Sequence, residues 1–183
     1  MSHQVPQDPV FVSDMIGNVV NAVDQALYKP GPAGAFPHVY FDHGHPVEIV
    51  NRLQAKLKDD DKKLQRFPLV MLFHDFTVRR NSQNYFGLAT LNMAIAAMTN
   101  KVYSTEERYT NSFKPILYPI YYELLGQLGR STYFVNAQAM VEHTIIDRVS
   151  WGKTGLYGNQ GNQFDDYLDC IEIQGLQLTV KNQ

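Results

Sequence analysis

The sequence predicts a fold of the α/β kind, more narrowly α+β: a mostly antiparallel sheet of about five strands with two to three helices packed on it. Three observations predict it. Segment 104–129, STEERYTNSFKPILYPIYYELLGQLG, is the one long stretch that keeps helical time. Its Phe113, Ile116, Leu117, Ile120, Leu124 and Leu128 recur at i, i+3, i+4 and i+7, and that apolar stripe needs a sheet to lie on. The runs at 67–76 (FPLVMLFHDF) and 85–99, joined through RRNSQN, read as two strands of a long hairpin. The run IEIQGLQLTV at 171–180 alternates as a strand does, but its apolar parity flips at Gly175, from Ile171 and Ile173 to Leu176, Leu178 and Val180, as a bulge requires.

Residues 1–12 carry Pro6 and Pro9 and no periodic pattern, so they are expected to form an extended arm before a single domain at 13–183. Ser13 or Asp14 is placed to cap a first helix. Its apolar face is Met15, Ile16, Val19, Val20, Val23 and Leu27, and it ends before KPGPAG. HVYF at 38–41 is expected to be a short strand. After Pro46, the residues Val47, Ile49, Val50, Leu53 and Leu57 indicate a short helix, closed by a solvated DDDKK turn at 59–63. The nearly unbroken apolar run at 67–76 reads as a strand covered on both faces. In 85–99, Leu91, Met93 and Ile95 alternate with polar residues and favour a strand, whereas four alanines favour a helix; strand is the reading adopted. The central helix begins with a capping box, Ser104 and Glu107, and is expected to stop at Gly129. Pro115 and Pro119 each lack a helical donor, which predicts a kink, or two shorter helices joined near Lys114. Segment 141–151, VEHTIIDRVSW, alternates as a strand.

The 183 residues suit one domain with a real core. With 44% apolar and 19% charged residues the chain is an ordinary globular one, and 16 basic against 18 acidic residues leave a formal charge of −2, too little to attract nucleic acid over a broad surface. A lone cysteine, Cys170, excludes an internal disulfide and a thiolate zinc site and fits a reducing cytoplasm. No window approaches a membrane-spanning apolar run, and Asp8, Asp14 and Asp24 argue against a signal peptide, so neither is expected.

Few stretches invite chemistry. DHGH places Asp42, His43 and His45 together, and His74–Asp75 adds a second pair; imidazole and carboxylate ligands suit zinc, iron or manganese, so a metal-dependent hydrolase using His43, His45 and His74 is one reading. The spacing matches no strong motif, and Gly44 and Pro46 favour an exposed turn, which is the reading preferred. WGKTG at 151–155 contains the end of a phosphate-binding loop, but Asp147 stands where its first glycine is needed and a glycine-rich loop stands where its helix is needed. No serine lies in a nucleophile elbow, and Cys170 beside Ile171 reads as a small core residue. No catalytic residue and no cofactor is expected. Aromatics are abundant: 11 tyrosines and 10 phenylalanines exceed what the core accommodates, and surplus aromatics at exposed sites are what a protein interface uses. The residues expected there are Phe11 on the arm, Tyr118 and Tyr122 on the helix face away from the stripe, and Trp151, Lys153 and Tyr157 about the glycine-rich loop.

The runs HPVEIVNRLQAKLKDDDKKLQRFPLVMLFHDF, STEERYTNSFKPILYPIYYELL, IDRVSWGK and FDDYLDCIEIQGLQLTV, in that order, resemble the tail terminator (tail completion) proteins among the head–tail proteins of tailed bacteriophages. The likeness runs from about Ser13 to Val180 and is one of layout: an amphipathic first helix, a strand, a long hairpin, a helix on the sheet and a closing strand. It implies a non-enzymatic virion protein of the neck, assembled in the host cytoplasm. Its partners would be further copies of itself in a six-membered ring, the tail tube protein and the head–tail connector. The segment 29–61 is longer than in the smallest terminators, which keeps a head-closure or adaptor protein as the alternative.

Overall fold

The computed structural model describes residues 11–31, 35–57, 66–80, 86–135, 141–151 and 167–181. Helix α1 (Val12–Leu27) buries the predicted face, Met15, Ile16, Val19, Val20 and Val23, with Leu27 at its margin. No side chain caps it. Phe11, in extended conformation, accepts the amides of Asp14 and Met15 through its own carbonyl at 3.0 and 3.1 Å, so Ser13 and Asp14 lie inside the helix rather than before it.

Strand β1 (Tyr40–Gly44) starts later than HVYF and continues through Asp42 and His43, so the DHG stretch is strand and not turn. The cause is pairing. β1 runs parallel to β2 (Leu69–Arg80), from Tyr40↔Leu69 to Gly44↔Phe73, which holds this backbone extended. Helix α2 (Pro46–Leu57) supplies the crossover that a parallel pair requires. β2 is covered on both faces as far as Phe73 and forms the expected hairpin with β3 (Phe86–Met98), whose strand reading holds.

The central helix is capped as predicted: Ser104 Oγ accepts the Glu107 amide at 3.3 Å, and Glu107 Oε2 accepts the Ser104 amide at 2.7 Å. It runs without a break from α3 (Thr105–Arg108) through a π-helical segment (Tyr109–Leu117) into α4 (Tyr118–Arg130). Pro115 sits inside the π-helical segment and Pro119 at the start of α4, so widened turns take up the missing donors where a kink was expected. Gly129 does not end the helix. It continues to Arg130, and Ser131, in extended conformation, closes it with its amide on Leu128 O at 3.3 Å.

Two short strands, β4 (Phe134–Val135) and β5 (Thr144–Arg148), and the long β6 (Leu168–Lys181) complete the sheet. The order is β1-β2-β3-β6-β4, with β5 also paired to β6; every pair except β1–β2 is antiparallel. This is an α+β fold with a mostly antiparallel sheet of six strands. The expected bulge lies at Gly175 (φ 67°): Leu91 pairs Leu176 and Met93 pairs Ile173, so Asn92 alone faces two residues, and its Oδ1 accepts the Gly175 amide at 3.0 Å.

Each face of the sheet carries a core. Under α1 and the central helix lie Val70, Leu72, Leu91, Ile95, Phe113, Leu117, Ile120, Leu124, Leu128, Ile171, Ile173, Leu176 and Leu178. Under α2 lie Ile49, Leu53, Phe67, Met71, Phe73, Trp151, Leu168 and Cys170. Cys170 is therefore the small core residue expected, and burial pushes its thiol well above the usual range. No described helix is long and apolar enough to cross a membrane.

Candidate functional site

The predicted interface residues separate into four groups. Trp151 is not on the surface: it is 1% exposed in the core under α2, and its Nε1 donates to Glu172 Oε1 at 3.1 Å. This corrects its assignment to an interface; the pairing of β5 with β6 folds the turn after β5 over the sheet and carries the indole inward. Lys153 and Tyr157 lie outside the described residues, as do residues 1–10 of the arm. Phe11 is 69% exposed at the mouth of α1, and Tyr122 is 65% exposed on α4.

Tyr118 is only half-buried and does not point away from the sheet. Its hydroxyl donates to Asp147 Oδ2 of β5 at 2.7 Å, and Tyr109 donates to the same oxygen at 2.8 Å. These hydrogen bonds, with burial, hold both phenols above the ordinary tyrosine value of 10.0, Tyr118 furthest. Next to it the His143 Nδ1 lies 2.6 Å from Val141 O; a carbonyl only accepts, so Nδ1 bears the hydrogen, and in the neutral ring Nε2 then accepts the Tyr121 hydroxyl at 2.7 Å. Tyr118 stacks on Tyr122 at 6.0 Å and Tyr121 tilts against Tyr122 at 5.1 Å. The result is an aromatic row along α4, tied through Tyr118 to β5 and through Tyr121 to His143 just before it. Among the described residues β5 has a strand neighbour only on its β6 side, and Ile145 and Val149 are exposed there. An unpaired strand edge beside exposed apolar groups is a protein-binding geometry.

The histidines of the metal reading behave differently. His43 and His74, on adjacent strands and the same face, meet: His43 Nδ1 and His74 Nε2 are 2.9 Å apart. His45 stands aside as the N-terminal cap of α2, its Nδ1 accepting the Val47 amide at 3.3 Å and its carbonyl accepting those of Glu48 and Ile49. Asp42 is held by Arg52 in a two-point contact, Nε to Oδ2 at 3.1 Å and Nη2 to Oδ1 at 2.8 Å. Burial and the neighbouring His43 charge lower the pKa of His74. Among the described residues no three His, Cys, Asp or Glu side chains gather as a metal cluster, so the three-histidine site is not formed.

Sequence reasoning missed the Tyr109–Tyr118–Asp147 contact and the His43–His74 pair, because both depend on which strands become neighbours. The alternation of Ile145, Asp147 and Val149 does signal that Asp147 shares a face with apolar residues, and this was the available hint. No family model matches the chain, and no curated protein matches it.

Proposed function

We propose that this chain is a structural protein of the bacteriophage neck, a ring-forming subunit that caps the tail tube and joins it to the head connector. The reading rests on the order of elements that resembles tail terminators. The observation that carries it furthest is the exposure of Tyr122, Ile145 and Val149 about a strand, β5, whose outer edge has no strand partner among the described residues. A ring subunit meets its neighbour through two different patches, and an edge strand flanked by aromatics supplies one of them. The body behind this edge carries a core on each face of its sheet, so the patch is held in place before any partner arrives.

Light scattering and negative-stain imaging across a concentration range, with and without tail tube protein, test this. Closed rings, alone or on addition of tube protein, are expected, and Tyr122→Ala weakens them. A chain that stays monomeric with tube protein and binds connector protein instead is an adaptor; one that ignores both is no neck protein.

A further inference from the structure

We propose that His43 and His74 form a two-imidazole chelate for a divalent transition-metal ion of the copper, nickel and zinc group, clipping β1 to β2. Two nitrogens each about 2.05 Å from one ion, at 90–110°, stand about 2.9–3.4 Å apart. The facing nitrogens already stand 2.9 Å apart, so no backbone movement is needed.

The rings are also set for it. Their centroids are 4.9 Å apart and their planes inclined by 27°. Phe41 stacks on His43 at 5.7 Å and Phe76 meets His74 edge-on at 5.6 Å, closing the pair from both ends. The backbone of His43 is pinned from α2, since Arg52 Nη2 donates to its carbonyl at 2.8 Å while also gripping Asp42. His74 lies where β2 leaves its regular register with β3, between Phe73 and Thr77, which turns this stretch out of the flat sheet. Both rings are exposed, so an ion reaches them from solvent.

The donor set selects the ion. Hard cations such as Mg²⁺ and Ca²⁺ take oxygen ligands, and the carboxylate of Asp42, next to His43 in the chain, is occupied by Arg52. Imidazole nitrogen suits copper, nickel and zinc, with copper bound most tightly. On binding, the ring whose facing nitrogen bears the hydrogen moves it to its other nitrogen. Both lone pairs then replace water ligands of the ion, and water keeps the remaining positions. This site is independent of the neck reading, because it needs neither assembly nor tube protein.

Calorimetric titration of the untagged chain with Cu²⁺, Ni²⁺ and Zn²⁺ tests it. One ion per chain is expected, copper tightest, with a higher thermal midpoint in its presence and a two-nitrogen pattern in the Cu²⁺ electron paramagnetic resonance spectrum. His43→Gln and His74→Gln each lower the affinity roughly tenfold or more, since each removes one of two donors. His45→Gln leaves it unchanged. Circular dichroism of each variant checks that it is folded. An affinity that survives both substitutions places the ion elsewhere and overturns the proposal, as does the absence of saturable binding.

Discussion

Asp147 shows how one side chain organises its surroundings. A single carboxylate oxygen accepts two phenolic hydroxyls, at 2.7 and 2.8 Å, so deprotonating either phenol would set two anions face to face. Absorbance titration is therefore expected to show Tyr109 and Tyr118 ionising later than ordinary tyrosines, and Asp147→Asn to bring both back down. Because the folded values lie above the unfolded value of 10.0, their stabilising contribution is complete below about pH 10 and is lost as pH climbs through the folded values. Unfolding followed by denaturant at increasing alkaline pH checks this sign. Trp151 and Tyr122 make a second contrast. Trp151→Ala is expected to cost about 3–5 kcal/mol of stability, as truncation of a buried aromatic does, whereas Tyr122→Ala stays within about 0.5 kcal/mol of the parent. A denaturation curve for each variant settles both. Trp151 was misread from sequence because its neighbours along the chain are polar and glycine-rich; what buries it is Glu172 and the β6 face, and these lie far along the chain.

At the scale of elements, local pattern was a good guide wherever an element was long or its periodicity strong. α1, α2, the hairpin and the central helix were legible because each buries a face whose spacing is written in its own residues. Boundaries and neighbours were not. β1 is extended beyond HVYF only because β2 pairs with it, and β4, two residues long, is a strand only through Phe134↔Val180 and Val135↔Thr179. The prolines of the central helix signalled disturbance correctly but not its form, since a π-helical turn and a kink relieve the same missing donor. Leu124→Ala on α4 is expected to cost about 2–5 kcal/mol in chemical denaturation, because its side chain is fully buried between helix and sheet.

Across the whole molecule, the buried pair Arg108–Asp169 ties the central helix to β6 at 2.8 Å, with Arg108 also donating to the carbonyls of Asn100 and Tyr103. Asp169→Ala is expected to cost about 3–5 kcal/mol, since it strands a buried guanidinium. The double change Arg108→Met with Asp169→Leu costs less than that single one, and thermal denaturation of the two variants compares them. The bulge at Gly175 has a wider reach. Up to residue 173 the odd positions of β6 face the larger core; from 176 onward the even ones do. A Cβ at 175 would meet nothing within 4 Å, so the glycine is required by its φ of 67° and not by crowding. It acts as a phase marker for the strand: with the same residues but no bulge, regular alternation would send Leu176, Leu178 and Val180 to the wrong side and Gln177 and Thr179 into the core. β6 is thus read in two frames, reset once at Gly175, and the reset is what lets both halves turn their apolar side chains to one core.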